Sequence, residues 1–142
     1  MAEERQSEIK AKLKIADFEC SPEEITEILG ICPTKIWRNG EKVHPRAKNV
    51  YKSNGWMLAS PCDPVNSSVD QQIEPLLSII KPHIDAFEKL PSGIYIELAC
   101  IIRVADYREP AIWFSADTIR IIAQMRASID IDVYDFREIE PT

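Results

Sequence analysis

The sequence predicts an α+β domain in two layers, a mainly antiparallel sheet with helices on one face. Three stretches carry that prediction. Residues 94–105 alternate, with Ile94, Ile96, Leu98, Cys100, Ile102 and Val104 on one face, as in a strand whose one side dominates the core. Residues 21–30 hold a helix between a hydroxyl cap and a glycine stop. Residues 111–136 read as strand, helix and strand in succession. Two βα units of one pattern suggest a duplicated architecture, and the full order of elements suits a ferredoxin-like arrangement of about four or five strands.

Taken in order, residues 1–10 are polar and read as an N-terminal tail, followed by one α+β domain over 11–137 and an acidic tail over 138–142. From Ala11, Leu13 and Ile15 point one way and Lys12 and Lys14 the other, the alternation of a strand with one wet face. Ser21, Pro22 and Glu24 then supply an N-cap, a proline at the first helical position and the glutamate of a capping box. Ile25, Ile28 and Leu29 form the buried face of that helix, and Gly30 ends it. Residues 34–56 are the least regular, with turns at Asn39-Gly40 and Asn54-Gly55. Ser68 and Gln71 resemble a capping box, but Pro75 places the start of the second helix near Glu74, and Pro82 kinks or breaks it. The alternating run then pairs with 111–114 as a hairpin. After Ser115 apolar residues recur at Ile119, Ile122 and Ala123. Beyond Ser128, Ile129, Ile131 and Val133 share the covered face of a strand whose other face carries Asp130, Asp132 and Tyr134.

With 142 residues the chain suits one domain. Seventeen basic and 23 acidic residues give a net charge of −6, which argues against unspecific attraction to nucleic acid or an anionic membrane. The average conceals a contrast. Residues 35–52 carry +5, from Lys35, Arg38, Lys42, Arg46, Lys48 and Lys52 against Glu41, so the remainder carries −11. The cysteines at 20, 32, 62 and 100 lack the close spacing of a zinc or redox hook. No apolar run approaches a membrane span, so the expected location is cytoplasmic with reduced thiols.

Several landmarks together resemble the bacterial family known as domain of unknown function 4279. They are 21–33 leading to Ile36 and Trp37, the Gly55-Trp56 pair, and the closing series of Phe114, Ser115, the helix 119–125 and the strand from Ile129 to Tyr134. The resemblance spans about residues 11–136 and implies a small single-domain protein. It transfers no activity and no catalytic residue.

Three constellations carry candidate chemistry. Asp130 and Asp132 sit two apart on a strand, so their carboxylates project about 6–7 Å apart and could share a hard cation, as a metal-dependent hydrolase requires. The plainer reading of the pair, and the preferred one, is a solvated strand face or a charged edge that discourages strand aggregation. The basic segment offers Lys35, Arg38, Lys42 and Arg46 with the aromatics Trp37, Tyr51 and Trp56, the ingredients of an anion or single-stranded nucleic acid site. The acidic remainder disfavours a polyanion. Thiol chemistry would need His44 or His83 beside a cysteine, and neither is adjacent in sequence. With four glycines and no phosphate loop, no cofactor is expected. The leading expectation is a non-catalytic protein-interaction module, in one form a toxin-neutralising immunity protein whose acidic body meets a basic partner. The competing class is a regulatory domain that holds a small anion with loop 35–52. Self-association into a homo-oligomer is compatible with either.

Overall fold

A computed structural model describes residues 6–106 and 109–137. Along them run β1 (Glu8–Ala16), α1 (Pro22–Leu29), β2 (Lys35–Trp37), β3 (Gly55–Ala59), α2 (Val69–Ile80), β4 (Tyr95–Val104), α3 (Ala116–Gln124) and β5 (Ser128–Asp135). A 3₁₀ segment, Lys81–Lys89, joins α2 to β4. The strands form one five-stranded sheet in the order β2-β3-β1-β4-β5. Every neighbouring pair is antiparallel except β4 and β5, which are parallel and joined through α3.

Register explains why one face is dry. The row Ile36, Trp56, Ile15 and Ile96 crosses four strands, and the row Leu58, Leu13, Leu98 and Ile129 crosses the other way to β5. Trp56, Leu58, Leu13, Ile15, Ile96 and Leu98 of these rows meet Ile25, Leu29, Ile73, Leu76, Leu77, Ile80, Phe87, Ile122 and Met125 from the helical layer in one buried cluster, against which Ile36 packs half-buried. The opposite face carries Lys10, Lys12 and Lys14 from β1, Glu97 and Arg103 from β4, and Asp130 and Asp132 from β5.

Helix α1 forms as its caps require. The Ser21 hydroxyl accepts the Glu24 N–H at 3.3 Å, Pro22 takes the first turn, and Gly30 at φ 71° donates its N–H to the Thr26 carbonyl. Helix α2 begins earlier than Pro75 suggests. Both arms of the Ser68–Gln71 box are made, at 3.0 and 3.1 Å, and the helix runs from Val69 straight through Pro75. The proline lies toward the outer side, and the carbonyl it cannot serve belongs to the exposed Gln71, where water can satisfy it. At Pro82 the α-helix does give way, to the 3₁₀ segment.

Four sequence expectations are corrected here. β1 begins at Glu8, so the strand takes in residues assigned to the tail; Ile9 is part of the core. Residues 111–114 form no strand, and β4 pairs with β1 and β5 instead of in a hairpin with them. The two βα units are therefore not alike: Ile25, four residues after its cap, is fully buried, whereas Ile119, four after Ser115, is 52% exposed. The buried face of α3 is Ile122 with Met125 rather than Ile119, Ile122 and Ala123. The tail 138–142, with Glu138 and Glu140, and residues 1–5 lie outside the described residues.

Buried Gln72 ties the layers together. Its carbonyl oxygen accepts the Ala11 N–H, and its amide donates to the carbonyls of Cys62 and Asp63 and to the Ser67 hydroxyl. The loop 60–68 thereby closes against β1 just past the end of its pairing with β3. Among the described residues no helix is long and apolar enough to cross a membrane.

Candidate functional site

The basic segment is an ordered arm. Gly40 donates its N–H to the Tyr51 carbonyl, Tyr51 to Glu41 and Val43 to Asn49, so the chain between β2 and β3 doubles back on itself and turns at 44–47. Asn54 anchors its base, accepting the Asn39 N–H at 2.8 Å and donating to the carbonyls of Phe18 and Cys20. Trp37 stacks on Tyr51 with ring centroids 5.4 Å apart and lies flat over Gly55, where a Cβ would collide with its ring. The Lys35 ammonium sits about 6 Å from both rings, in cation–π range.

These contacts disperse the expected anion site. Arg38 pairs with Glu23 of α1 and, at 3.5 Å, with Glu41. Lys35 is drawn to the aromatic pair, and Lys42 and Arg46 lie exposed along the arm. The cleft at the arm's base is lined by Asp17, Glu19, Asn39 and Lys52 among others, not by Lys35, Arg38, Lys42 or Arg46. Trp56 belongs to the core: it is fully buried, and its indole N–H donates to the Thr26 hydroxyl at 3.0 Å.

The other end of the sheet is built differently. β5 is its last strand, and among the described residues nothing pairs with its outer side. Ile129, Ile131 and Val133 continue the core rows that run through Leu98, Cys100 and Ile102; Ile131 is half-buried against the core, but the cover does not extend over Ile129 and Val133. Ile129 is 42% and Val133 54% exposed, which corrects the expectation of a covered face. Ile112, Trp113 and Ile119, in the link to α3 and on α3 itself, are likewise exposed. The Phe136 N–H donates to the Val104 carbonyl at 2.8 Å, toward β4. Backbone direction alternates along a strand, so Ile129, Ile131 and Val133 aim their N–H and C=O groups outward.

Asp130 and Asp132 stand exposed on the other face of this edge, beside Ala99 and Ile101 of β4. No described ion pair engages either. Among the described residues no group of three or more His, Cys, Asp or Glu side chains could hold a metal ion, so the structure supplies the pair with no third ligand. Asp135, three residues further on and on the opposite face of the strand, is held by Arg137, whose side-chain and backbone hydrogen bonds lower its pKa to about 2. The thiol of Cys100 is core, pushed up to about 11 by burial. Burial and then the Glu24 carboxylate also raise Cys20.

Sequence reading found every residue of this edge yet misjudged its exposure. Composition carried no signal of it, since the outward turn of Ile119, which leaves Ile122 and Met125 buried and Ile121 half-buried against the core, is settled only by the packing of α3.

Neither the curated proteins nor the solved structures contain a significant match to the chain. The family model of the domain of unknown function DUF4279 matches residues 7–136, from the first residues of β1 to the end of β5. That match takes in both the arm and the β5 edge, and the chain belongs to the DUF4279 family.

Proposed function

We propose that this domain is a non-catalytic protein-interaction module that takes up an extended segment of another protein along the outer edge of β5. The observation that carries the reading is the coincidence, on one strand, of outward-facing backbone groups with the half-exposed Ile129 and Val133. Strand addition uses both: backbone hydrogen bonds supply affinity, and alternate side chains supply selectivity. The apolar rows of the core simply extend by one strand into the partner. A toxin-neutralising role is one form such capture could take, with the segment belonging to the toxin. The order and antiparallel pairing of β1 to β4 with α1 and α2 favour a ferredoxin-like core, to which α3 and β5 add a docking strand.

The test is affinity purification from the native host with wild-type protein and with Val133→Pro. Proline removes one outward N–H without breaking a bond to β4, so circular dichroism and thermal midpoint stay close to wild type. One stoichiometric protein retained by the wild type and lost by Val133→Pro is the expected result. Equal recovery by both proteins, or none by either, contradicts the reading.

A further inference from the structure

The chemistry of the occupant is written on the two faces of the same edge, and this inference rests on the docking reading above. On the helical side the edge offers Ile129, Ile131 and Val133; on the open side it offers Asp130 and Asp132. Lateral neighbours of the two carboxylates on β4 are Ala99 and Ile101, and the nearest cations in those rows, Lys12 and Lys10, lie one strand further away. Arg103, one diagonal step from Asp132 on β4, is turned to Glu8 at 3.6 Å, so no described ion pair engages either carboxylate, and a strand arriving on the outer side would be the first to set a charge directly beside them. Opposite charges facing each other across paired strands stabilise, and like charges destabilise.

We infer that the segment held by β5 alternates basic and apolar residues, its lysines or arginines beside Asp130 and Asp132 and its apolar residues continuing the rows that end at Ile129, Ile131 and Val133. In the two antiparallel registers that pair most of the strand, a second β5 is the wrong occupant. With Ile131 opposite its own copy, Asp130 would face Asp132 twice; with Asp132 at the centre, it would face itself. The acidic stripe therefore selects among strands: it repels a copy of itself and attracts a basic one. The pattern wanted is the one that β1 already presents to the sheet, where Lys10, Lys12 and Lys14 alternate with Ala11, Leu13 and Ile15.

Three short fluorescent peptides test this by anisotropy at physiological salt: alternating Lys-Val, alternating Glu-Val, and a block peptide of the Lys-Val composition. The alternating basic peptide should bind roughly tenfold or more tightly than either of the others, as expected for paired against opposed cross-strand charges. Asp130→Lys with Asp132→Lys should turn the preference toward the Glu-Val peptide, and Asp130→Asn with Asp132→Asn should abolish it. Equal binding of block and alternating basic peptides, or a preference unmoved by charge reversal, overturns the inference. Val133→Pro separates the two levels. If both alternating peptides bind the wild type equally and both are lost in Val133→Pro, strand capture stands and the basic pattern falls. If Val133→Pro weakens none of them, both fall. Sedimentation of the chain alone is the companion measurement. Concentration-dependent assembly that the charge reversal removes would make the basic arm of a second copy the occupant and overturn the assignment to another protein, whereas a monomer at all concentrations supports it.

Discussion

Gln72 is the residue whose role a sequence hides best. It sits within the apolar rhythm of α2 and reads as surface, but it is almost wholly buried with every polar atom engaged. Replacing it with leucine keeps the volume and strands the Ala11 N–H and the carbonyls of Cys62 and Asp63. The cost should be about 1–3 kcal/mol per buried group left without a partner, read as a lowered urea midpoint. Asp135 gives a second prediction at this scale. Its folded pKa of about 2 lies below the ordinary 3.8, so what it contributes to stability is present above pH 3.8 and disappears as the pH falls through 2. In Arg137→Gln, NMR titration should find the Asp135 pKa back near 3.8, and acid unfolding below pH 3.8 should lose that component. Single residues were legible where their chemistry is local, as with Ser21, Gly30 and Ser68, whose caps need only neighbours in sequence. Gln72 and Arg38 were not, because their partners lie far along the chain.

Elements show where local rules compete. In α2 the capping box and the buried Val69, Gln72 and Ile73 outweigh the proline that follows them, so the helix keeps its first turns. Pro75→Ala restores a donor to the Gln71 carbonyl and removes the ring's steric conflict, an effect of about 3 kcal/mol in a helix interior; the more flexible unfolded chain takes back up to about 1 kcal/mol. A net stabilisation of about 1–2 kcal/mol should appear as a raised thermal midpoint; a lowered one would mean that α2 relies on the proline ring. The strands β1, β4 and β5 could all be read from alternation, since period two is a property of each strand by itself. Their partners could not. Residues 111–114 are apolar enough for a strand, but the sheet has no position for them, since β1 already takes one side of β4 and the parallel crossover through α3 delivers β5 to the other. Periodicity also cannot tell a covered face from one that waits for cover, which is why Ile129 and Val133 read as core.

Across the whole molecule the two ends of the sheet carry opposite signs. β2 and the arm bring Lys35, Arg38, Lys42 and Arg46 to one end; β5 brings Asp130 and Asp132 to the other. The contrast between a basic segment and an acidic body was plain in the sequence, but its placement at opposite edges comes only from strand order. Much of the basic end is spent on internal contacts, Arg38 on Glu23 and Glu41, Lys35 on the stacked Trp37 and Tyr51. Among the described residues the acidic end leaves its carboxylates out of any ion pair and its outward backbone groups unpaired, open to the strand proposed above. Amide hydrogen exchange along β5, with and without the alternating Lys-Val peptide, tests that claim most directly. In the free protein the amides of Ile129, Ile131 and Val133 should exchange quickly while those of Asp130, Asp132 and Tyr134 are protected by β4, and peptide at saturation should slow the first set selectively. Protection of Ile129, Ile131 and Val133 in the free protein, or fast exchange that saturating peptide leaves unchanged, would contradict the account.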